Sequence, residues 1–169
     1  INNNESDWKD ERLDDFIRLL HNYDIICLQE AFEMYSSRKQ KLIRAANKNG
    51  FFYYLDLQAP SFFSNYFIDG GLVILSRFPI IKHSTYYYDL GVVSDSLAQK
   101  SILYAQIEIG CSRLHLFTTH TQASYNDNLL ELFISSFETR LDQINQLSSF
   151  IREVLKSEMN ENLDLAILC

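Results

Sequence analysis

Apolar and polar positions follow a helical rhythm, an alternating rhythm and an unbroken apolar rhythm in turn along the chain. In residues 8–22, WKDERLDDFIRLLHN, Leu13, Phe16, Ile17 and Leu20 fall at helical spacing with Arg and Asp between them. Residues 24–29 switch to a continuous apolar run and predict a buried strand. A second helix is predicted over SSRKQKLIRAANKNG: Leu42, Ile43 and Ala46 form one face, the other is basic, and Asn49-Gly50 closes it. FFYYLDL predicts a strand, and QAPSFFSNYFIDGG, with one Pro and two Gly, a loop. LVILS predicts a continuous apolar strand, ended by Arg77-Phe78-Pro79. IIKHSTYYYDL reads as strand or loop.

The rest of the chain is more regular. SILYAQIEI alternates Ile102, Tyr104, Gln106 and Glu108 against Leu103, Ala105 and Ile107, the period of a strand. Gly110-Cys111-Ser112 predicts a tight turn, with RLHLFTTH returning as the hairpin partner. Residues 131–157 carry the longest helical signal, with Leu141, Ile144, Leu147, Ile151 and Leu155 on one face. LDLAILC predicts a last strand. Hairpins mixed with helical crossovers predict an α/β fold, a mixed sheet covered by helices. No repeat or linker divides residues 1–169, so one domain, or part of one, is expected.

The totals narrow the chemistry. With 47% apolar and 14% aromatic residues in 169, the chain can build a core. Its net charge of −7 and the lack of a basic run argue against a nucleic-acid partner. Cys27, Cys111 and Cys169 are odd in number, widely spaced and without a C-x-x-C pair. They read as buried small hydrophobes more than as disulfides or a zinc site, and the compartment stays open. No apolar run reaches the roughly 18 residues of a membrane span. The first residue is Ile1, and the chain closes on a strand-like run with no turn after it. A piece of a longer protein is therefore expected.

Candidate chemistry gathers where strands end. In YDIICLQEAF, Glu30 follows a buried strand. A carboxylate there is either a ligand for a hard cation such as Mg²⁺ or a solvated residue opening a loop. His120 closes the strand of LHLFTTH, where open α/β sheets carry their sites; it is either a general acid or phosphoryl donor, or a loop cap. In Asp69-Gly70-Gly71, either the paired glycines let the backbone pass close to something and Asp69 orients a histidine or a metal-bound water, or the stretch is an ordinary turn into the next strand. Lys100 either meets a phosphate or is a surface cation. His21, His83 and His115 read as structural, and His115 lies on the opposite strand face from His120. No G-x-x-x-x-G-K, G-x-G-x-x-G, H-E-x-x-H or G-x-S-x-G is present, so P-loop, dinucleotide-binding, zincin and serine-esterase chemistries lack their signatures.

Taken in order, DIICLQE, GGLVILSRFPI, KSILYAQIEI, LHLFTTHTQASY and LDLAILC resemble successive blocks of the endonuclease/exonuclease/phosphatase (deoxyribonuclease I-like) superfamily, over residues 12–169. The nearest branch resembled is the neutral sphingomyelinases. THTQASY is similar to their THLQA block, and DSLAQKS to D-x-x-x-x-K-G with Ser101 in place of Gly. The resemblance implies part of a four-layer α/β sandwich, two packed mixed β-sheets flanked by helices. It implies Glu30 as the Mg²⁺ ligand and His120 as the residue that contacts the scissile phosphate or protonates the leaving oxygen. By looser matches, Asp69 would support His120 and Lys100 would lie near the phosphate. The function implied is Mg²⁺-dependent hydrolysis of sphingomyelin to ceramide and phosphocholine. The partner would be a phospholipid at a membrane face, which the acidic charge and the aromatic SFFSNYF and YYYDL segments suit. A nuclease or phosphoinositide phosphatase of the same fold is the alternative, and an inactive binding module the third reading. The family's metal-side Asn, its Gly-Asp-x-Asn and its Asp-His pair have no counterpart within this chain. Residues 1–169 are thus expected to be a single truncated domain with little or no turnover by itself, from a longer parent whose compartment stays open.

Overall fold

The structure, a computed structural model, describes residues 8–31, 37–57, 70–89, 91, 99–123, 130–160 and 164–169. The order is α1 (Lys9–Leu19), a short 3₁₀ turn (Leu20–Asn22), β1 (Ile25–Leu28), α2 (Arg38–Lys48), β2 (Tyr53–Asp56), β3 (Val73–Ser76), β4 (Ile80–Tyr87), β5 (Ser101–Ile109), β6 (Ser112–Thr119), α3 (Leu130–Glu158) and β7 (Asp164–Leu168). The 80–90 stretch, open between strand and loop, is thus mostly strand. One sheet is antiparallel, in the order β1-β3-β2. The other is mixed, in the order β4-β5-β6-β7, with β6 and β7 parallel and joined through α3. That is the helical crossover a parallel pair requires.

Strand alternation builds the layers. Val73 and Leu75 of β3 join Ile26, Leu42, Ile43 and Ala46 in a core under α1 and α2. Leu72 and Ile74, on the other face, meet Leu103, Ala105, Ile107, Leu114 and Leu116 of the second sheet. Ile102, Tyr104 and Phe117 face α3, which covers them with Leu147, Phe150, Ile151 and Val154. Both central strands are buried on two faces, which is why β3 reads as an unbroken apolar run. The result is helix, sheet, sheet, helix, the expected sandwich.

Two expectations are corrected. The face of α3 was expected to run from Leu141 to Leu155, but Leu141 and Ile144 are exposed. The helix lands on the sheet through its second half, and its first half buries Ser136 and Gln143 instead. The cysteines are not all buried: Cys27 is half-buried between the sheets, while Cys111, in the hairpin turn, and Cys169 are exposed.

His115 is fully buried on the α3 face of β6. Its Nδ1 lies 2.9 Å from the Tyr104 hydroxyl and its Nε2 3.4 Å from Asp164. Asp164 also accepts from the Asn160 and Arg113 N–H groups. The Asn160 N–H above all holds the Asp164 carboxyl below the usual carboxylate range, helped by His115 and Arg113. A lowered carboxyl value adds stability that is complete above the ordinary value of about 3.9 and is lost as pH falls through the lowered one. Asp164→Asn should therefore be less stable than wild type near neutral pH, and the gap should close in acid. Urea midpoints at pH 7 and pH 3 measure this, and a gap unchanged between them contradicts it.

Candidate active site

Several segments reach one edge of the sandwich. β1 runs out there into Gln29 and Glu30, β3 enters from Gly70 and Gly71, β5 from Lys100, and β6 leaves into His120. Leu28 pairs with Val73 in one sheet, and Ile102 with Thr119 in the other, so these ends face each other. Among the described residues, close contacts join the sheets here. The Gln29 side-chain amide donates to Thr118 Oγ1 at 3.2 Å. Gly70 lies so close to the second sheet that a Cβ on it would sit 2.6 Å from the Gln99 carbonyl oxygen and 2.9 Å from Ser101 Oγ. Gly70→Ala should therefore push the sheets apart and destabilise the fold by about 1–3 kcal/mol. A urea midpoint equal to wild type would contradict this close approach.

Glu30 has φ of +59°, left-handed backbone that a Glu rarely adopts. The next residue anchors it, since the Ala31 N–H donates to the Gly71 carbonyl at 2.9 Å. Strain of this kind gathers at functional positions because the surroundings must hold it. The Glu30 side chain is 71% exposed, and its Oε1 lies 3.5 Å from His120 Nε2. Lys100, by contrast, is buried. Its Nζ lies 3.0 Å from His120 Nε2 and 3.3 Å from Nδ1. The two neighbours pull the imidazole in opposite directions. A carboxylate favours a protonated ring, whereas an ammonium can donate only to a ring nitrogen that keeps its lone pair.

The backbone around His120 is tied on several sides. Thr119 Oγ1 donates to the Ser101 carbonyl at 3.0 Å and lies 2.8 Å from the Tyr88 hydroxyl. The Thr119 N–H reaches the Cys169 carbonyl at 3.2 Å, and the Gln122 N–H donates to Gln143 Oε1 at 2.7 Å. Burial raises the Tyr88 phenol to about 12, so it stays a neutral hydroxyl near neutral pH. Burial first, and then the neighbouring Cys169, push the Cys27 thiol up to about 12. It supplies no thiolate nucleophile at neutral pH.

Of the residues singled out in the sequence, Glu30, Lys100 and His120 come together. Asp69 lies outside the described residues, as does the SFFSNYF segment. Of the YYYDL tyrosines, Tyr88 is buried, whereas Tyr86 and Tyr87 are exposed. Gln29, Thr118 and Gln143 were not found from the sequence. The signal for Thr118 was a polar residue at an inward position of a strong strand; nothing in sequence order marks Gln143.

An exposed carboxylate offers the hard oxygen that Mg²⁺ prefers, and Mg²⁺ often takes only one or two protein carboxylates. Glu30 fits as one such ligand. Among the described residues no cluster of three His, Cys, Asp or Glu could hold a metal, so it would be a partial ligand set. No helix among the described residues is long and apolar enough to cross a membrane.

Comparison with known proteins agrees with the fold. A sphingomyelinase of Dictyostelium discoideum is 37% identical over 175 residues, which cover 90% of this chain and 38% of that protein. A beta toxin structure from Staphylococcus aureus superposes with a TM-score of 0.78 at 21% identity, over 94% of this chain and 56% of that one. A mutant of that toxin with bound magnesium ions gives a TM-score of 0.69 at 21% identity, over 88% of this chain and 53% of that one. The chain thus spans about two-fifths of the curated relative's length and just over half of the solved chains. The model of the Endonuclease/Exonuclease/phosphatase family matches residues 1–145. By that match, this chain belongs to the endonuclease/exonuclease/phosphatase family.

Proposed function

We propose that this chain carries part of the catalytic centre of a Mg²⁺-dependent phosphodiesterase that hydrolyses sphingomyelin to ceramide and phosphocholine. The observation that carries the reading is the meeting of Glu30, Lys100 and His120 at one sandwich edge, from three strand ends. A phosphodiester transition state needs cationic and hydrogen-bonding groups aimed at its oxygens. Lys100 supplies a fixed positive charge, and His120 a ring that can donate to a phosphoryl oxygen or give a proton to the leaving oxygen. Glu30 would hold Mg²⁺, which, when bound, stabilises charge on the phosphoryl oxygens. Asp69 would orient His120.

The relatives support this substrate, one of them being named a sphingomyelinase at 37% identity. The net charge of −7 supports it, because it suits a zwitterionic headgroup better than a polyanion. Tyr87, whose backbone pairs with Ser101 next to Lys100, is an exposed amphipathic residue at this end of the sheet, which suits a membrane-facing surface. The test assays the protein in its natural length, with Mg²⁺, against sphingomyelin vesicles, duplex DNA and inositol phosphates. Release of phosphocholine with the other two untouched is expected. Cleavage of DNA or inositol phosphates without phosphocholine release would overturn the substrate and favour a nuclease or phosphatase. No turnover of any of them would favour a binding module.

A further inference from the structure

We propose that Gln143 is a positioning residue for His120. It sits on α3, one face of which covers the second sheet, and is 1% exposed. Its side-chain oxygen accepts the backbone N–H of Gln122 at 2.7 Å. Gln122 is itself 2% exposed and lies two residues beyond His120. A buried amide oxygen that accepts one short bond is a strong local constraint, because removing the acceptor leaves a buried N–H unsatisfied.

The place of this bond gives it consequence. Upstream of His120, β6 is held by ladder bonds to β5 and β7. At His120 the ladder gives out: its own N–H reaches the Ser101 carbonyl only at 3.5 Å. The chain then leaves the sheet. Without a second anchor the imidazole would hang from the last residue of a strand. Gln143 supplies that anchor from a different layer. It fixes the backbone on the far side of His120 and so fixes the direction from which the ring meets Lys100 and Glu30. Sites of this kind depend on supporting residues because an error of about 1 Å in the aim of a catalytic group can reduce rate about a hundredfold. The inference rests on the reading of His120 as the phosphate-facing residue.

The chemistry also explains the residue type. A leucine or methionine would pack as well against the sheet but leave the Gln122 N–H buried without an acceptor. A glutamate kept neutral by burial would keep the acceptor and nearly the same shape. Gln143→Met and Gln143→Glu therefore separate packing from hydrogen bonding. Gln143→Asn, with the acceptor drawn back by one methylene, is the second probe should the methionine variant fail to fold.

The natural-length protein is labelled with ¹⁵N. Amide exchange at Gln122 and the ring signals of His120 and His115 are followed by NMR. In Gln143→Met and Gln143→Asn, exchange at Gln122 should quicken about tenfold or more, as loss of one buried hydrogen bond implies. The His120 ring signals should move while those of His115 stay in place. Gln143→Glu should keep both near wild type. In the natural-length protein, sphingomyelin hydrolysis by Gln143→Met should show a lower kcat at unchanged KM, with Gln143→Glu restoring it. Unchanged His120 signals in Gln143→Met and Gln143→Asn would overturn the proposal, and so would unchanged Gln122 exchange. A wild type that hydrolyses no sphingomyelin would overturn the proposed function instead, leaving the NMR comparison to decide on Gln143.

Discussion

His120→Gln should lower sphingomyelin hydrolysis by the natural-length protein about 10²–10⁴-fold, the usual worth of a positioned proton-transfer residue. The substitution keeps much of the volume of the ring and removes its titratable nitrogen. The His120 side chain is 20% exposed and ends a strand, so folding should be little affected. His115→Gln is the internal control. His115 is fully buried, stacks on Tyr104 and lies in a buried hydrogen-bonded chain with Tyr104 and Asp164. Its loss should lower the urea midpoint and leave kcat of the folded fraction near wild type. Steady-state rates and urea curves on both variants separate the two roles. Equal loss of activity without loss of stability in both would contradict the separation.

Lys39→Met should be the most destabilising of these changes. Lys39 is buried on α2, and its Nζ lies 2.6 Å from Asp56 Oδ1 at the end of β2. The lysine also donates to the Leu57 carbonyl at 3.3 Å. Removing it leaves a carboxylate that is only 10% exposed without its cation. Breaking a buried pair from one side typically costs about 3–5 kcal/mol, whereas replacing both partners with apolar groups is often neutral. Lys39→Met/Asp56→Leu should therefore recover most of the loss. Urea midpoints of the single and double variants measure it, and a single variant as stable as wild type would contradict the ion pair. Asp56 pairs with Val73, which also pairs with Leu28, two residues before Glu30. Loosening β2 should thus also disturb the candidate site.

Much of this arrangement was legible in the residues. The alternation in SILYAQIEI and the unbroken LVILS both read as strands, and both are; the alternation does not give the burial, since the first seven residues of β5 are buried on both faces. Asn49-Gly50 ends α2 as read, with Gly50 at φ of +89°. The candidate residues could be singled out because Glu30 and His120 lie just after strands and Lys100 just before one. What local pattern could not give is contact between layers. Gln143 reads as one polar position in a long helix, yet it reaches a backbone 21 residues away. Lys39 reads as part of a basic, solvated face, yet it is buried because Asp56 lies opposite it. Leu141 and Ile144 continue the apolar stripe of α3 but are exposed, because periodicity gives a face and not how far the facing sheet extends. The paired Gly70-Gly71 read either as a close backbone approach or as an ordinary turn, and the 2.6 Å from a Cβ on Gly70 to the Gln99 carbonyl oxygen agrees with the close approach.

The most direct test of the account is a Mg²⁺ titration of sphingomyelin hydrolysis by the natural-length protein and its Glu30→Gln variant. The account expects no hydrolysis by wild type without Mg²⁺. In the variant, the Mg²⁺ needed for half-maximal rate should rise at least about tenfold, the lower end of what even residues supporting a metal ligand contribute. A variant that keeps both the wild-type rate and the wild-type Mg²⁺ requirement would contradict the assignment of Glu30 and, with it, the catalytic centre proposed for this chain.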